Sequence, residues 1–212
     1  MVMKITFYYV RHGRTEYNKA GIIQGQVDSP LCLESIHVLE DTREALRDVN
    51  ITQCYTSPYR RAVDTARIVL GDRDIPLVPL DNLKEISFGD IDGKRHVEHG
   101  RELFIGHLTD NFRFIHGESA SDVKARARKA FNRMIASAND GDNILIACHG
   151  SYYRYMLYEL LGKNRLTMKF DPRYYGIPNG AVSIISYEDG TFKLLCYPLN
   201  AKELTEFLVN RY

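Results

Sequence analysis

The chain has 212 residues, of which 44% are hydrophobic and 26% are charged, a composition typical of a globular protein with a substantial core. Its 28 basic and 27 acidic residues nearly cancel, so the net charge gives no argument for binding to nucleic acid, and anion selectivity would have to come from local clusters. The longest uninterrupted apolar run, Ile144 to Cys148, is far too short to span a membrane.

The cysteines indicate a reducing environment. Cys32, Cys54, Cys148 and Cys196 are irregularly spaced and include no CxxC pair, so neither a zinc site nor a disulfide framework is predicted. The N-terminus shows no signal peptide with a small-residue cleavage site. We therefore expect a cytoplasmic protein that binds neither membrane nor nucleic acid, and a homo-oligomer is compatible with the sequence.

The first half of the chain alternates between strand-like and helix-like segments. Strands are predicted at Lys4–Val10, 53–57 and 75–80, and an amphipathic helix at 33–49. A second helix is predicted with Ser57 as its N-cap, Pro58 at its first position and Gly71 just past its end. The segment from Lys84 to about Gly117 is rich in glycine and histidine, and it is predicted to be irregular.

The second half of the chain continues the alternation. An amphipathic helix is predicted at 119–138, a buried strand within 143–150, a helix at 151–162, a hairpin at 180–197 that turns at Asp189-Gly190, and a short helix at 201–209. This order predicts an α/β fold, namely a three-layer α/β/α sandwich with a mainly parallel central sheet. We expect one domain that comprises residues 1–212.

Two predicted strands run directly into a His-Gly pair. "YYVRHG" ends at His12 and Gly13, and "LIACHG" ends at His149 and Gly150. Ligands of such sheets bind at the carboxyl ends of the strands, where a glycine lets a ligand approach the backbone closely. His12 stands next to Arg11, and a histidine beside a guanidinium group resists protonation.

These residue types suit a phosphoryl group. Arg61, one turn into the helix after "TSP", could join Arg11 and the two histidines around a phosphate, since the arginine fork matches phosphate oxygens. A neutral imidazole can attack phosphorus, and a leaving alkoxide then needs a proton from an acid. Glu85 in "LKEISFGD" is the leading candidate for the acid, because a nearby phosphate dianion would raise its pKa. Glu118 and Asp90 are the alternatives.

The segment "RHGRTEYN" resembles the signature of the histidine phosphatase superfamily, the phosphoglycerate mutase-like proteins. Five further segments are similar to motifs of that family in the same order: "IQGQVDSPL", "TSPYRRAVDTA", "LKEISFGDIDG", "HGES" and "CHG"; "IPNGAV" also fits. The resemblance covers nearly the whole chain and implies a phosphoglycerate mutase-like fold. The departures, Cys32, Ser35, Cys148 and Ser151, leave every charged catalytic group in place.

The resemblance also implies a role for each matching residue. His12 is the nucleophile that becomes phosphohistidine; Arg11, Arg61 and His149 bind the phosphoryl group. Glu85 is implied as the proton donor and later as the base that activates water. The residues implied to line the substrate pocket or to reach the ligand through their backbone are Asn18, Gln24, Gly25, Gly150 and Ser151. Arg60 is expected to be solvated, and the role of Arg14 stays open.

Three functions compete for this site. They are a phosphomonoesterase, a cofactor-dependent phosphoglycerate mutase and a non-catalytic module that binds a phosphorylated ligand. The third needs a lost catalytic group, and none is missing. The acid is followed by Ile86 to Gly89 and not by the Arg-His-Tyr-Gly that is characteristic of the mutases, and the lid-like insertion at about 94–116 is short. We therefore predict a phosphatase without metal or cofactor that acts on a small phosphorylated metabolite.

The lid-like insertion is expected to set the substrate. Its arginine and aromatic residues suit a small organic phosphate with an apolar or carboxylate part; they are Arg95, Arg101, Phe104, Phe112, Arg113 and Phe114. The same region contains His96, His99, His107 and His116. No cysteine or further carboxylate completes a tetrahedral set, so these histidines are interpreted as surface or pocket-rim residues and not as a metal cluster.

Overall fold

A six-stranded sheet forms the centre of the protein. The computed structural model describes residues 3–162 and 177–210. The strands are β1 (Lys4–Arg11), β2 (Gln53–Thr56), β3 (Leu77–Pro79), β4 (Asn143–Cys148), β5 (Val182–Glu188) and β6 (Thr191–Leu199). Their order across the sheet is β3-β2-β4-β1-β5-β6. β1 to β4 run parallel to one another, whereas β5 pairs antiparallel with β1 and forms an antiparallel edge with β6.

Helices cover both faces of this sheet. The α-helices in the described residues are α1 (Glu16–Ala20), α2 (Leu33–Ala45), α3 (Arg60–Leu70), α4 (Gly100–Thr109), α5 (Ala120–Ala136), α6 (Gly150–Leu160) and α7 (Ala201–Val209). Along β1, Phe7 and Tyr9 pack in one apolar core with residues of α5 and α6. Tyr8 and Val10 face the opposite core with residues of α2, α3 and α7. The predicted three-layer α/β/α architecture with its mainly parallel sheet is confirmed.

Three local predictions need correction. α3 begins at Arg60 with Tyr59 as its N-cap residue, because the Ser57 hydroxyl lies 2.7 Å from His149 Nε2 and is engaged there. α2 ends at Ala45, and the chain then turns with Leu46 as the C-cap residue. The segment 84–117 is not wholly irregular, since it contains α4. Gly106 in the middle of α4 hides the helical pattern, and a Cβ at that position would lie 2.1 Å from the Phe112 ring.

All four cysteines lie within the described residues, where they are buried and form no disulfide. Among the described helices, none combines the length and the apolar character that crossing a bilayer requires.

Candidate active site

The sheet brings the two His-Gly pairs together. β1 and β4 are adjacent and parallel, and Arg11 pairs in register with Cys148. The His12 N–H continues the ladder and donates to the Cys148 carbonyl at 2.9 Å. As a result, the rings of His12 and His149 meet at the carboxyl ends of both strands, with their centroids 5.3 Å apart.

His12 is held as a neutral imidazole with one nitrogen available. Its side chain is only 3% exposed, and Nδ1 lies 2.8 Å from the Gly13 carbonyl oxygen. Because a carbonyl can only accept, Nδ1 carries the hydrogen and Nε2 keeps its lone pair. Burial lowers the pKa of His12 well below its ordinary value of 6.5, and the charges of Arg11 and Arg61 lower it further. The predicted resistance to protonation is thus present in the structure.

Arg11 provides positive charge beside His12. Its Nη1 donates to the Ile177 carbonyl, while its Nε is buried and has no hydrogen-bond partner among the described residues. Gly150 makes the approach of this guanidinium possible, since a Cβ there would lie 3.2 Å from Arg11 Nε. A buried donor without a partner is costly in a folded protein, so an anion at this position would stabilise the site.

Arg61 lies behind His12 and is fully buried. Its Nε donates to His149 Nδ1 at 3.3 Å, and its Nη2 donates to the Gly25 carbonyl at 2.9 Å. Nη1 donates to the Val27 carbonyl at 2.6 Å and to Asp28 Oδ1 at 2.9 Å. Arg61 therefore fixes the loop around Gly25 and the second histidine, and it adds a positive charge below the site.

The second histidine is also neutral. His149 Nδ1 accepts from Arg61, so the hydrogen is on Nε2, which lies 2.7 Å from Ser57 Oγ and donates to it. Burial, with Arg61 next, lowers the pKa of His149 well below 6.5. The Tyr9 hydroxyl bonds both backbone groups of His149, at 3.1 Å from the N–H and 2.6 Å from the carbonyl. His149 is thus tightly oriented beside His12.

Glu85 lies at the N-terminus of α6. Oε1 accepts from the N–H groups of Tyr152 at 2.6 Å and Ile86 at 2.9 Å, and Oε2 accepts from Ser151 N–H at 3.0 Å. The positive end of a helix favours a carboxylate at this place. The predicted use of the Ser151 backbone for the ligand needs revision, because Glu85 occupies that N–H in this structure.

A half-buried ion pair holds the loop that carries Glu85 in place. Arg126 on α5 donates to the carbonyls of Asn82 at 3.2 Å and Lys84, and its Nε lies 3.0 Å from Glu118 Oε1. Glu118 Oε2 in turn accepts from Ser87 N–H at 2.8 Å. Arg126 belongs to a basic run, Lys124 to Arg133, and α5 turns this arginine of the run toward the loop.

The two alternative acids occupy other surroundings. Glu118 is engaged in the ion pair with Arg126. Asp90 is largely exposed and lies 2.8 Å from His116 Nδ1. Neither carboxylate lines the cavity that contains His12, whereas Glu85 does.

A cavity of about 670 Å³ opens above these groups. Its polar lining comprises Arg11, His12, Asn18, Gln24, Glu85, His96, His107, Gly150, Ser151 and Arg154, and its apolar lining comprises Ile22, Ile23, Phe88, Leu103, Phe104, Leu108 and Ile177. Gly25 is absent from this wall, and so are Arg61 and His149, two of the residues implied to bind the phosphoryl group. A Cβ at Gly25 would lie 2.0 Å from Asp92 Oδ1, so this glycine serves close loop packing.

The family model of the histidine phosphatase superfamily (branch 1) matches residues 7–199. The chain belongs to this superfamily. The match spans both His-Gly pairs, Arg61 and Glu85, which are the residues that the fold brings together.

Known members of the superfamily that resemble the chain include phosphatases and mutases. The adenosylcobalamin/alpha-ribazole phosphatase of Salmonella typhimurium is 31% identical over 159 residues, which are 73% of this chain and 78% of that protein. The 2,3-bisphosphoglycerate-dependent phosphoglycerate mutase 1 of Gloeobacter violaceus is 28% identical over 183 residues, 68% of this chain and 79% of its own. The structure of Bacillus stearothermophilus YhfR superposes with a TM-score of 0.79 at 30% identity, covering 90% of this chain and 95% of that one.

The lid-like insertion differs in detail from its sequence interpretation. Phe104 lines the cavity, as predicted, but Phe112 is fully buried with its ring 4.9 Å from that of Phe88. Arg113 is turned outward and pairs with Asp122 at 2.6 Å. Of the remaining predicted lid residues, Arg95, Arg101 and Phe114 are exposed and lie outside the cavity lining.

The histidines of the insertion are dispersed. His96 and His107 line the cavity, and no group of three or more potential metal ligands occurs within the described residues. Arg14 and Arg60 are exposed.

Sequence reasoning missed Arg154, which follows Gly150 by four residues on α6 and therefore points to the same side of that helix.

Acid should destabilise this member of the superfamily through its buried histidines. The folded-state pKa is lowered for His12 and His149, and burial lowers that of His107 to about 4. Unfolded histidines titrate near 6.5, so below this pH the unfolded state binds protons that the folded state does not. The free energy of unfolding is therefore highest above pH 6.5. Between pH 7.5 and 5.5 it decreases by up to about 1.4 kcal/mol for each of these histidines.

Urea titrations at pH 7.5 and 5.5 measure this effect as a difference in the free energy of unfolding. Three such histidines together give a decrease of up to about 4 kcal/mol. His107→Gln should remove about a third of the decrease, whereas the same change at His37, whose side chain is 86% exposed, should leave it unchanged. Equal free energies of unfolding at both pH values would show that the buried histidines do become protonated in the folded state.

Proposed function

We propose that the protein is a phosphomonoesterase that hydrolyses a small organic phosphate through a phosphohistidine at His12. The observation that carries this proposal is the geometry around His12. A buried neutral imidazole keeps the Nε2 lone pair, with Arg11 and Glu85 on the wall of the same cavity. A nucleophile, a permanent cation and an acid are the groups that phosphoryl transfer from an ester requires.

In the first step, His12 Nε2 attacks phosphorus and the P–O bond to the organic group breaks. The leaving oxygen takes a proton from Glu85, whose acid form is favoured by the negative charge of the bound phosphate, so that an alcohol leaves and Glu85 becomes a carboxylate. The Gly13 carbonyl accepts a hydrogen bond from His12 Nδ1–H and so stabilises the positive charge that develops on the ring. Arg11 compensates the charge of the phosphoryl oxygens, and its buried Nε supplies an unused donor for them.

In the second step, water attacks phosphorus and the P–N bond breaks. Glu85 removes a proton from the water, and His12 returns to its neutral form as inorganic phosphate is released. Arg61 and His149 do not line the cavity and support the site indirectly: Arg61 donates to His149 Nδ1, and Ser57 and Tyr9 complete the orientation of His149. Asn18 and Gln24 extend the polar part of the cavity wall toward the substrate.

Access of water to the site favours hydrolysis of the phosphohistidine over transfer of its phosphoryl group to a second hydroxyl group. Residues 94–116, which include α4, form a short insertion over the cavity. Phe104 lines the cavity and is nevertheless 67% exposed, so the mouth beside it is open to solvent. Closing an active site expels water, and an open site lets water compete with a second hydroxyl group for the phosphohistidine. The residues after Glu85 also lack the cationic group that would hold a phosphoglycerate.

The test is a panel of phosphomonoesters, incubated with the protein and a metal chelator, with released phosphate as the readout. The panel contains aryl, alkyl, sugar and nucleoside monophosphates together with 2- and 3-phosphoglycerate. Phosphate release from one or more esters supports the proposal. Interconversion of the two phosphoglycerates without release would replace it by the mutase. Binding of phosphate without turnover of any ester would replace it by a non-catalytic module.

A further inference from the structure

The cavity has two ends of different character. Arg11, His12 and Glu85 form the end where the phosphoryl group is placed by the proposed function. The rest of the wall contains six apolar side chains, three of them from α4, together with five polar ones; they are Ile22, Ile23, Phe88, Leu103, Phe104 and Leu108, and Asn18, Gln24, His96, His107 and Arg154. The part of a substrate that lies beyond the ester oxygen would therefore contact apolar side chains of α4.

The one cation that lines the distal part of the described wall is Arg154, and its charge is already compensated. Its Nη2 lies 3.3 Å from Asp110 Oδ1 and donates to the Tyr155 hydroxyl at 2.6 Å. The side chains of Arg154 and Asp110 are only 10% and 17% exposed, so solvent screens this pair weakly. A second anion on the substrate would reach Arg154 while the Asp110 carboxylate, which does not itself line the cavity, still pairs with it, and would gain little.

His107 adds no positive charge at this end. Arg154 Nη2 lies 3.2 Å from His107 Nδ1, and a guanidinium can only donate, so this nitrogen accepts and the ring is neutral. The ring lies between aromatic neighbours, with its centroid 5.9 Å from that of Phe88 and 5.2 Å from that of Phe112. Burial there lowers the pKa of His107 to about 4. His96, the other histidine of the wall, is exposed at the rim.

We propose that the cavity selects phosphomonoesters whose organic group is apolar, and that Asp110 enforces this selection by neutralising Arg154 against esters that carry a second anionic group. The proposal rests on the proposed phosphatase function. Asp110 acts through Arg154 and is therefore a positioning and specificity residue, while the apolar side chains of α4 contact the substrate directly.

The wild-type protein tests the first half of the proposal with matched substrates. Butyl and hexyl phosphate are compared with the corresponding esters that end in a carboxylate, because the leaving oxygen is chemically similar in all of them. We expect kcat/KM to rise with chain length, by up to about fourfold per buried methylene, and the terminal carboxylate to reduce it by about tenfold or more. Equal or faster turnover of the carboxylated esters would overturn the proposal.

Asp110→Asn tests the second half. Asp110 has φ 52°, a conformation that asparagine also tolerates, so the backbone is expected to be retained. The variant should raise kcat/KM for the carboxylated esters by about tenfold, because the negative charge of Asp110 no longer opposes a carboxylate beside Arg154, and it should leave the alkyl esters within about twofold. The gain should disappear in the double variant Asp110→Asn/Arg154→Gln.

Asp64→Asn is the matched control, since Asp64 also pairs with arginines, Arg60 and Arg67, at 3.1 and 3.0 Å, but on the outer side of α3. It should not change the preference between ester types. A shift of the same size in the control, or none in Asp110→Asn, would overturn the role of Asp110. The proposed phosphatase function fails separately, by absence of phosphate release from every ester. Release with an unexpected preference contradicts the specificity proposal alone.

Discussion

Replacing His12 with alanine should abolish phosphate release and the covalent phosphoenzyme together. His12 Nε2 is the nitrogen that we propose to bond to phosphorus, and the other groups of the site cannot replace it. His149 Nδ1 and Nε2 are both engaged, with Arg61 and Ser57. Loss of a covalent nucleophile costs on the order of 10⁴-fold or more in kcat.

The measurement uses an ester labelled with radioactive phosphorus and a rapid quench in alkaline detergent. The wild-type protein should carry a label that survives alkali and is lost in acid, as a phosphohistidine does, and His12→Ala should carry none. His37→Ala is the matched control, because His37 is 86% exposed and outside the cavity. A label that persists in His12→Ala, or release reduced less than about tenfold, would show that another residue is the nucleophile. Thermal melts establish that both variants are folded.

The sequence predicts the parts of the site that depend on strand ends. A buried strand that runs into His-Gly indicates where the histidine lies, because parallel neighbours end at one edge of a sheet. The register between β1 and β4 then brings His12 and His149 together without any further information. The hairpin is equally local: Asp189 and Gly190 both have positive φ, 43° and 83°, as a two-residue hairpin turn requires.

The contacts that long side chains make across elements could not be predicted in this way. In the sequence, Arg126 stands in a basic run on α5, where a solvent-exposed side chain is the simplest expectation. The packing of α5 against the loop that carries Glu85 lets Arg126 donate to two carbonyls of that loop and pair with Glu118. Arg154 stands in a run of tyrosines, and its position on the cavity wall depends on where α4 lies. Such contacts depend on how the helices pack against other elements, and neither composition nor periodicity predicts that packing.

Ser57 and Gly25 make contacts in the structure that differ from those expected of them. Ser57 before Pro58 has the pattern of a helix N-cap, but its hydroxyl bonds His149 and α3 begins at Arg60. Gly25 was expected to face the ligand, whereas its carbonyl accepts from Arg61 and its missing side chain makes room for Asp92. In both cases the residue supports a catalytic group from behind.

Replacing Glu85 with glutamine should slow the hydrolysis of alkyl phosphates far more than that of 4-nitrophenyl phosphate. An alkoxide is a poor leaving group and needs the proton that we assign to Glu85, whereas a nitrophenolate leaves without one. General acid catalysis contributes about 10²- to 10⁴-fold, so kcat/KM for hexyl phosphate should fall by that amount. For the nitrophenyl ester the decrease should be less than about tenfold. The relevant constant is kcat/KM, because it reports the step that cleaves the ester and not the later hydrolysis of the phosphohistidine.

The ratio of kcat/KM for the two substrates distinguishes a loss of acid catalysis from a loss of protein stability. The Glu85 carboxylate accepts three backbone N–H groups at the start of α6, and a glutamine offers only one acceptor oxygen, so the variant should lose about 1 kcal/mol of stability. A smaller folded fraction lowers both rates equally and leaves their ratio unchanged. Asp90→Asn, which removes a carboxylate from the same loop at a largely exposed position, should also leave the ratio unchanged. An equal loss on both substrates in Glu85→Gln would assign this glutamate to the architecture of α6 and would require another proton donor.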